Sequence, residues 1–279
     1  MNTHHFGTLD IVATPLGNLQ DMSFRAVSIL KDVDRIASED TRHSLPLLRH
    51  FSIQKPLLSL HEHNEKQRSQ QLLEYLQKGE SIALISDAGT PLISDPGAHL
   101  VQTVRYAGIT VVPIPGPCAA IAALSAAGLP TDRFVFEGFL PVKGKLRQER
   151  LSALKIETRT MIFYEAPHRI SELVASLIPV LGEERECVFA RELTKIYETI
   201  HYSTLTELKK WIKDDIYRER GEIVLLVKGA IKAAEENNAD SILKILLKNL
   251  PLKQAVELTA EITHQRKNTI YQQALLLKK

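Results

Sequence analysis

The residues best suited to hold a small molecule lie in one stretch, Ser86 to Gly97, which reads SDAGTPLISDPG directly after the apolar run IALI. Connections from a strand to a helix usually take about two to six residues. This one is longer and dense in Gly, Pro, Ser and Asp, more than a turn requires. Loops at the carboxyl ends of parallel strands are where open α/β sheets bind ligands. Gly89 and Gly97 let the backbone approach a flat ligand closely, and Asp87 offers a carboxylate to ribose hydroxyls or an amine. The plain alternative is an elaborate turn in which Asp95 caps the following helix.

A second loop, Thr14 to Asp21 (TPLGNLQD), also follows an apolar run. Its single glycine does not match the G-x-G-x-x-G dinucleotide fingerprint, which disfavours a usual Rossmann site and leaves the loop as a turn or a ligand lid. His61 and His63 share a face if extended. Two ligands without a third make a poor metal site, so no metal is expected. The two cysteines, Cys118 and Cys187, stand in unrelated surroundings and suggest neither a disulfide nor a thiolate site. Cys187, in the apolar run CVFA, reads as a buried strand residue.

The elements that must position these loops follow an α/β pattern, short Val/Ile/Phe-rich runs alternating with amphipathic stretches. Strands are predicted at Leu9 to Ala13, Arg35 to Ser38, Leu57 to Leu60, Ile82 to Ser86 and Thr110 to Ile114, in an open, doubly wound parallel sheet. The clearest helix is Glu65 to Gln77, with Leu72, Leu73 and Leu76 on one side and Gly79 as its stop. Pro115 to Pro117 ends the fifth strand, and the small residues from Ala119 to Ala127 predict a tightly packing helix. A second group follows, with strands at Phe134 to Phe139, Thr160 to Tyr164, Cys187 to Ala190, Glu198 to Tyr202 and Ile223 to Val227. Helices are predicted at Glu172 to Ile178 and Leu205 to Ile212, and the consecutive late strands suggest a mixed sheet. Ile231 to Asp240 reads as a linker, and Ser241 to Asn249, Leu252 to Thr263 and Asn268 to Leu277 as three short helices of helix-turn-helix type. The expected domains are 1–116, 117–230 and an appendage at 231–279.

With 279 residues, 35 basic against 33 acidic side chains and 44% hydrophobic residues, the chain has room for a sizeable core and no general pull on a polyanion. The paucity of cysteine points to a reducing, cytoplasmic setting. Met1 to Gly7 lacks the character of a signal peptide, and the most apolar region, Ile109 to Pro130, is interrupted by Pro113, Pro115, Gly116 and Pro117. Neither secretion nor membrane spanning is expected.

Three further segments complete the pattern: SEDTRHS at Ser38 to Ser44, PGPCAA at Pro115 to Ala120 and FYEAPHR at Phe163 to Arg169. With SDAGTPLISDPG they resemble the tetrapyrrole methylase superfamily, most closely its ribosomal RNA 2'-O-methyltransferase I branch. HEHNE at His61 to Glu65, GFLP at Gly138 to Pro141 and ARELTK at Ala190 to Lys195 match as well, so the resemblance runs from about Thr8 to Gly229. It implies a two-domain fold holding S-adenosylmethionine between domains, usually in a homodimer. It also implies cofactor contacts from Asp87, Ala88 and Gly89, from Cys118 and Ala119, and from Phe163, Tyr164, Glu222 and Ile223. The target implied is a cytidine ribose in the decoding region of small-subunit rRNA.

A ribose hydroxyl is a poor acid, so a base or a cation near the developing alkoxide helps its methylation. Glu39, Asp40, Arg42 and His43 end one strand, while Glu165, His168 and Arg169 follow another. Of these, Glu39 and Arg42 are the catalytic candidates; a salt bridge, a cap or a phosphate contact is the competing role for each. Between Val142 and Arg159, six basic residues (Lys143, Lys145, Arg147, Arg150, Lys155, Arg159) stand against Glu149 and Glu157. From Ser241 to Lys279, seven (Lys244, Lys248, Lys253, Arg266, Lys267, Lys278, Lys279) stand against Glu257 and Glu261. Such clusters can engage RNA phosphates, with Lys143, Lys145, Arg147, Arg150, Arg266 and Lys267 as candidates; the alternative is a solvated helix face. Two competing functions remain: a methyltransferase of this fold acting on a tetrapyrrole or a protein side chain, and a non-catalytic RNA-binding module.

Overall fold

The computed structural model describes residues 6–231 and 238–277. The chain divides into two compact units, Met1–Gly229 and Ala230–Lys279.

The first unit opens with β1 (Thr8–Val12), α1 (Phe24–Asp32), β2 (Arg35–Ser38), α2 (Thr41–His50), β3 (Leu57–Ser59), α3 (Glu65–Gln77), β4 (Ile82–Ile85), α4 (Ala98–Tyr106) and β5 (Thr110–Ile114). These strands form a parallel sheet in the order β3-β2-β4-β1-β5. All four residues of β4 are buried because helices cover both faces. Leu72, Leu76, Leu100 and Val104 pack with Leu84 on one side; Ala26, Leu30 and Leu48 pack with Ala83 and Ile85 on the other. Parallel register brings the carboxyl ends of β1, β2 and β4 to one edge.

The alternative reading of the Ser86 to Gly97 loop, in which Asp95 caps the next helix, is not what the structure shows. Gly97 is the N-cap of α4, and Glu65, the first residue of α3, accepts its N–H at 3.0 Å and that of His99 at 2.8 Å. A carboxylate from a neighbouring helix thus meets the positive end of α4, and Asp95 is left to other work.

The second half of the unit comprises α5 (Ala119–Ala126), β6 (Phe134–Phe139), α6 (Gly144–Leu154), β7 (Thr160–Glu165), α7 (Ile170–Leu181), β8 (Glu186–Arg191), β9 (Thr199–Thr204), α8 (Leu205–Lys213) and β10 (Ile223–Val227). The sheet runs β6-β7-β10-β8-β9, with β6 and β7 parallel and the other pairs antiparallel, the mixed arrangement expected. Side chains alternate across β7. Met161 and Phe163 enter a core with Phe189, Leu225 and helices α6 to α8, whereas Ile162 and Tyr164 face α5. Helix α7 outruns its expected end at Ile178, passes over Pro179 and stops where Gly182 takes φ 100°.

The second unit packs α9 (Asn238–Leu246), α10 (Leu252–Thr263) and α11 (Lys267–Leu277) around Ala239, Leu243, Ala255, Ala260, Ile270 and Ala274. His264, in the left-handed conformation, ends α10 and turns the chain toward α11. Part of the expected linker is therefore helix, since Ala239 is a core residue of α9; residues 232–237, Lys278 and Lys279 lie outside the described residues. Among the described residues no helix is long and apolar enough to cross a membrane.

Candidate functional site

A cavity of about 370 Å³ opens where the loops after β1, β4 and β5 meet the ends of β7 and β10. The loop after β4 is pinned from two directions. Thr14 and Gly89 exchange backbone hydrogen bonds, at 2.8 and 3.0 Å, in an isolated antiparallel bridge, and the Thr14 hydroxyl donates to the Ser86 carbonyl at 3.2 Å. The Thr90 hydroxyl donates to the Pro117 carbonyl at 2.8 Å, tying this loop to the Pro-Gly-Pro turn. Gly89 adopts φ 85°, where a side chain is strained, and a Cβ there would lie 3.2 Å from Leu16.

The opposite wall is equally fixed. The Tyr164 phenol accepts the Ala120 N–H at 3.0 Å, which holds the start of α5, a helix without a side-chain cap, against β7. Burial pushes the Tyr164 phenol pKa up. Glu165, a buried carboxylate raised by that burial, is matched by Arg169 at 3.2 Å. At the mouth, Lys195 bonds Glu192 at 2.9 Å and Glu222 at 3.2 Å, its alkyl stem lying along Gly17 of the loop after β1.

Two segments of the cavity lining share an unusual backbone. Leu92 and Ser94 are left-handed around Ile93, and Glu192 and Thr194 are left-handed around Leu193; both bracketed residues line the cavity. Non-glycine residues pay about 1–2 kcal/mol for that conformation.

The expected cofactor residues Asp87, Ala88, Gly89, Cys118, Ala119, Tyr164, Glu222 and Ile223 all line the cavity. Phe163 does not: the alternation of β7 sends its ring into the core on the far face of the sheet. Neither Glu39 nor Arg42 is a lining residue. The Arg42 guanidinium is solvent-exposed and folded back onto Asp40, the N-cap of its own helix, at 2.8 Å, holding that carboxyl down at about 2. Glu39 is half-buried near Asp87 and Asp95, and its pKa is raised, chiefly by burial and by Asp87, with His61 opposing the shift.

The residue missed from the sequence is Asp95. It lines the cavity with no cation paired to it among the described residues, and burial together with Glu39 and Asp87 pushes its pKa up to about 6. Asp87 accepts the Asp40 N–H at 3.3 Å and likewise has no cation partner among the described residues. The charged lining residues are Asp87, Asp95, Glu165 and Glu222, without a lysine or arginine among them. The length of the SDAGTPLISDPG loop was the available signal for Asp95.

The basic candidates are placed unevenly. Arg147 is buried, donating to the Pro141 carbonyl and the Ser176 hydroxyl at 3.0 Å each; it is a structural residue of α6 and cannot meet a phosphate. Lys143 is exposed at the N-cap of α6, and Lys145 makes a loose exposed pair with Glu149 at 3.5 Å. Arg150 forks onto the buried Glu137 carboxylate from a half-exposed position. In the second unit Arg266 is exposed and Lys267 pairs with Glu257 at 2.5 Å. His61 Nε2 lies 3.1 Å from the Asn64 amide, and no cluster of three metal-binding side chains forms among the described residues. Burial pushes the Cys187 thiol up to about 12.

Comparison with known proteins agrees with this architecture. Residues 8–209 match the family model of Tetrapyrrole (Corrin/Porphyrin) Methylases, and residues 233–278 match the RsmI C-terminal HTH domain. The ribosomal RNA small subunit methyltransferase I of Pseudomonas aeruginosa is 55% identical over 273 residues, covering 96% of this chain and 97% of that protein. The protein of the same name from Escherichia coli O157:H7 is 55% identical over 271 residues, with 96% and 95% covered. Among solved structures, uroporphyrin-III C-methyl transferase from Thermus thermophilus complexed with S-adenyl homocysteine shares the fold at TM-score 0.57 and 16% identity, covering 80% of this chain and 97% of its own. Diphthine synthase does so at TM-score 0.61 and 14% identity, with 80% and 90% covered. The chain therefore belongs to the tetrapyrrole methylase family, within its ribosomal RNA small subunit methyltransferase I group.

Proposed function

We propose that the chain transfers a methyl group from S-adenosylmethionine to the ribose 2'-hydroxyl of a cytidine in the decoding region of small-subunit rRNA. The observation that carries this reading is the charge pattern of the cavity in a chain of this family. Its carboxylates Asp87 and Asp95 have no cation partners among the described residues, and Leu16, Ile93, Phe139 and Leu193 give it an apolar wall. A sulfonium ligand with an amino-acid tail carries net positive charge and a flat heteroaromatic group, so an acidic, apolar cavity fits it.

When bound, S-adenosylmethionine supplies an electrophilic methyl on a cationic sulfur. The residues that would hold it are Asp87, Ala88 and Gly89 on one wall and Cys118, Ala119, Tyr164, Glu222 and Ile223 on the other. Gly89 and Ala119 leave backbone groups accessible, the Tyr164 bond to Ala120 fixes the second wall, and the apolar side chains exclude water. Positioning of this kind provides much of the rate of a displacement between two bound partners.

For RNA, the exposed Lys143 and Arg266 are complementary to phosphate, and Lys145 and Lys267, held only by exposed pairs, join them by exchanging partners, whereas Arg150 stays committed to the buried Glu137 carboxylate. An exposed ion pair is worth only about 0–1 kcal/mol, so a phosphate replaces it at little cost. We further propose a homodimer in the cytoplasm. Ile196, Tyr197, Ile200 and Tyr202 lie exposed on or beside β9, the edge strand of the second sheet, and apolar surface of this kind is what a subunit contact covers.

Incorporation of labelled methyl from S-adenosylmethionine into unmodified small ribosomal subunits, followed by nucleoside digestion, tests the activity. Label in 2'-O-methylcytidine is the expected result. Label absent from RNA, with cofactor binding intact, would move the substrate to another class.

A further inference from the structure

We propose that Asp95 is the catalytic residue that takes the proton from the ribose hydroxyl as its oxygen is methylated. The inference rests on the methyl-transfer reading above. Four observations lead to it. Asp95 lines the cavity, whereas Glu39 and Arg42, the candidates from sequence, do not. Its carboxylate is free of the helix-capping duty its position suggests, because Glu65 from α3 satisfies the N–H groups of Gly97 and His99. No cation among the described residues neutralises it, while the buried lining carboxylate Glu165 is held by Arg169. Its loop is fixed by the left-handed Leu92 and Ser94 just before it and by Gly97 just after, where a Cβ would lie 2.7 Å from Leu84.

The surroundings tune it for the task. Facing Asp95 are Glu39 from the end of β2, Asp87 and Ser86 from the start of its own loop, and Tyr164 from β7. Burial and the two carboxylates oppose its ionisation, the Ser86 hydroxyl favours it, and the balance places it at about 6. A base with that value is largely ionised at neutral pH yet still holds a proton better than an ordinary carboxylate.

The step balances without a further reactant. The ribose oxygen loses its proton to a carboxylate oxygen of Asp95 and bonds the methyl carbon. The electron pair of the old carbon–sulfur bond stays on sulfur, leaving a neutral thioether. The proton then leaves Asp95 to solvent.

The test combines a pH profile with a direct titration. In the wild type, kcat for methylation of small subunits rises about tenfold per pH unit below the Asp95 inflection and is level above it. The bound sulfonium, a nearby positive charge, sets that inflection below the value of about 6 that the protein's own groups give. Asp95→Asn lowers kcat at saturating S-adenosylmethionine by about 10²–10⁴-fold, while the loss of one of the two unpaired carboxylates weakens the cofactor affinity measured by calorimetry, which saturation offsets in kcat. Glu39→Gln, which removes a charge opposing ionisation, moves the inflection of the profile to lower pH. It moves in parallel the carboxyl ¹³C titration of Asp95, assigned by its loss in Asp95→Asn. A residue that only shapes the loop would give neither shift. Asp95→Asn with wild-type kcat, or a kcat inflection that Glu39→Gln leaves in place while the ¹³C titration moves, overturns the assignment. A wild-type enzyme that puts no methyl into RNA overturns the underlying reading instead, and the proton transfer with it.

Discussion

The phenol oxygen of Tyr164 accepts the Ala120 N–H at 3.0 Å and so joins the cavity end of β7 to the first turn of α5. Cys118, the N-cap of α5, makes no side-chain capping bond, and Ala120 is buried. In Tyr164→Phe that N–H is left without a protein acceptor, at a cost of about 1–3 kcal/mol. Urea unfolding should show the loss, and S-adenosylmethionine affinity should fall because Cys118 and Ala119 line the cavity. Unchanged stability would mean that the bond contributes nothing.

Lys195 is the only cation bonded to both Glu192 and Glu222 among the described residues. Lys195→Met keeps the stem that packs on Gly17 but leaves the partly buried Glu192 without its cation. We expect destabilisation of about 1–2 kcal/mol, below the 3–5 typical of fully buried pairs, and faster cofactor dissociation in stopped-flow measurements.

Gly89→Ala places a side chain at φ 85° and 3.2 Å from Leu16, both facing the cavity. Backbone strain alone costs about 1–2 kcal/mol. Thermal unfolding should report that cost, and calorimetry a cofactor affinity reduced at least tenfold, since the added methyl narrows the site.

Arg147 and Lys143 lie on the same short stretch of chain and should behave oppositely. Arg147→Ala removes a buried guanidinium that donates to the Pro141 carbonyl and the Ser176 hydroxyl, and lowers stability by about 1–3 kcal/mol. Lys143→Ala leaves the fold intact and, if the residue meets a phosphate, reduces the slope of log binding against log salt by about 1. Binding isotherms for RNA at several salt concentrations separate the two.

Asp95 also predicts a pH dependence of folding. Its pKa is raised in the folded state, so between the ordinary value of 3.8 and about 6 the unfolded chain carries fewer protons at this site than the native one. Stability is therefore lost across that window as pH rises and stays reduced above it. Asp95→Asn removes the penalty. Its stability gain should grow from about pH 4 to about pH 7 and then level, at about 1–2 kcal/mol after allowance for partial exposure. A gain independent of pH would show that the carboxylate is not held back from ionising.

Elements whose pattern is local were the most legible in the sequence. Strands β2, β5, β6 and β10 and helices α3 and α10 have the predicted bounds, because hydrophobic period and stop signals such as Gly79 act within a few residues. What escaped depends on partners distant in sequence. The cap of α4 comes from Glu65, thirty-two residues before Gly97, so nothing near Asp95 announced that its carboxylate was spare. Arg147 looks like its exposed neighbours in composition, and only the fold over Ser176 buries it. Phe163 departs from expectation for a different reason. The motif FYEAPHR carries both aromatics to the site's edge, but a strand turns alternate side chains to opposite faces, and only Tyr164 reaches the cavity.

The paired left-handed residues around Ile93 and Leu193 have a thermodynamic corollary. Walls held in a rare backbone conformation have already surrendered their freedom, so a ligand arriving between them does not have to organise them. Occupation of the cavity should then resemble insertion into a mould: a small loss of chain entropy, a favourable enthalpy, and entry and exit rates set by diffusion past the rim rather than by slow loop ordering.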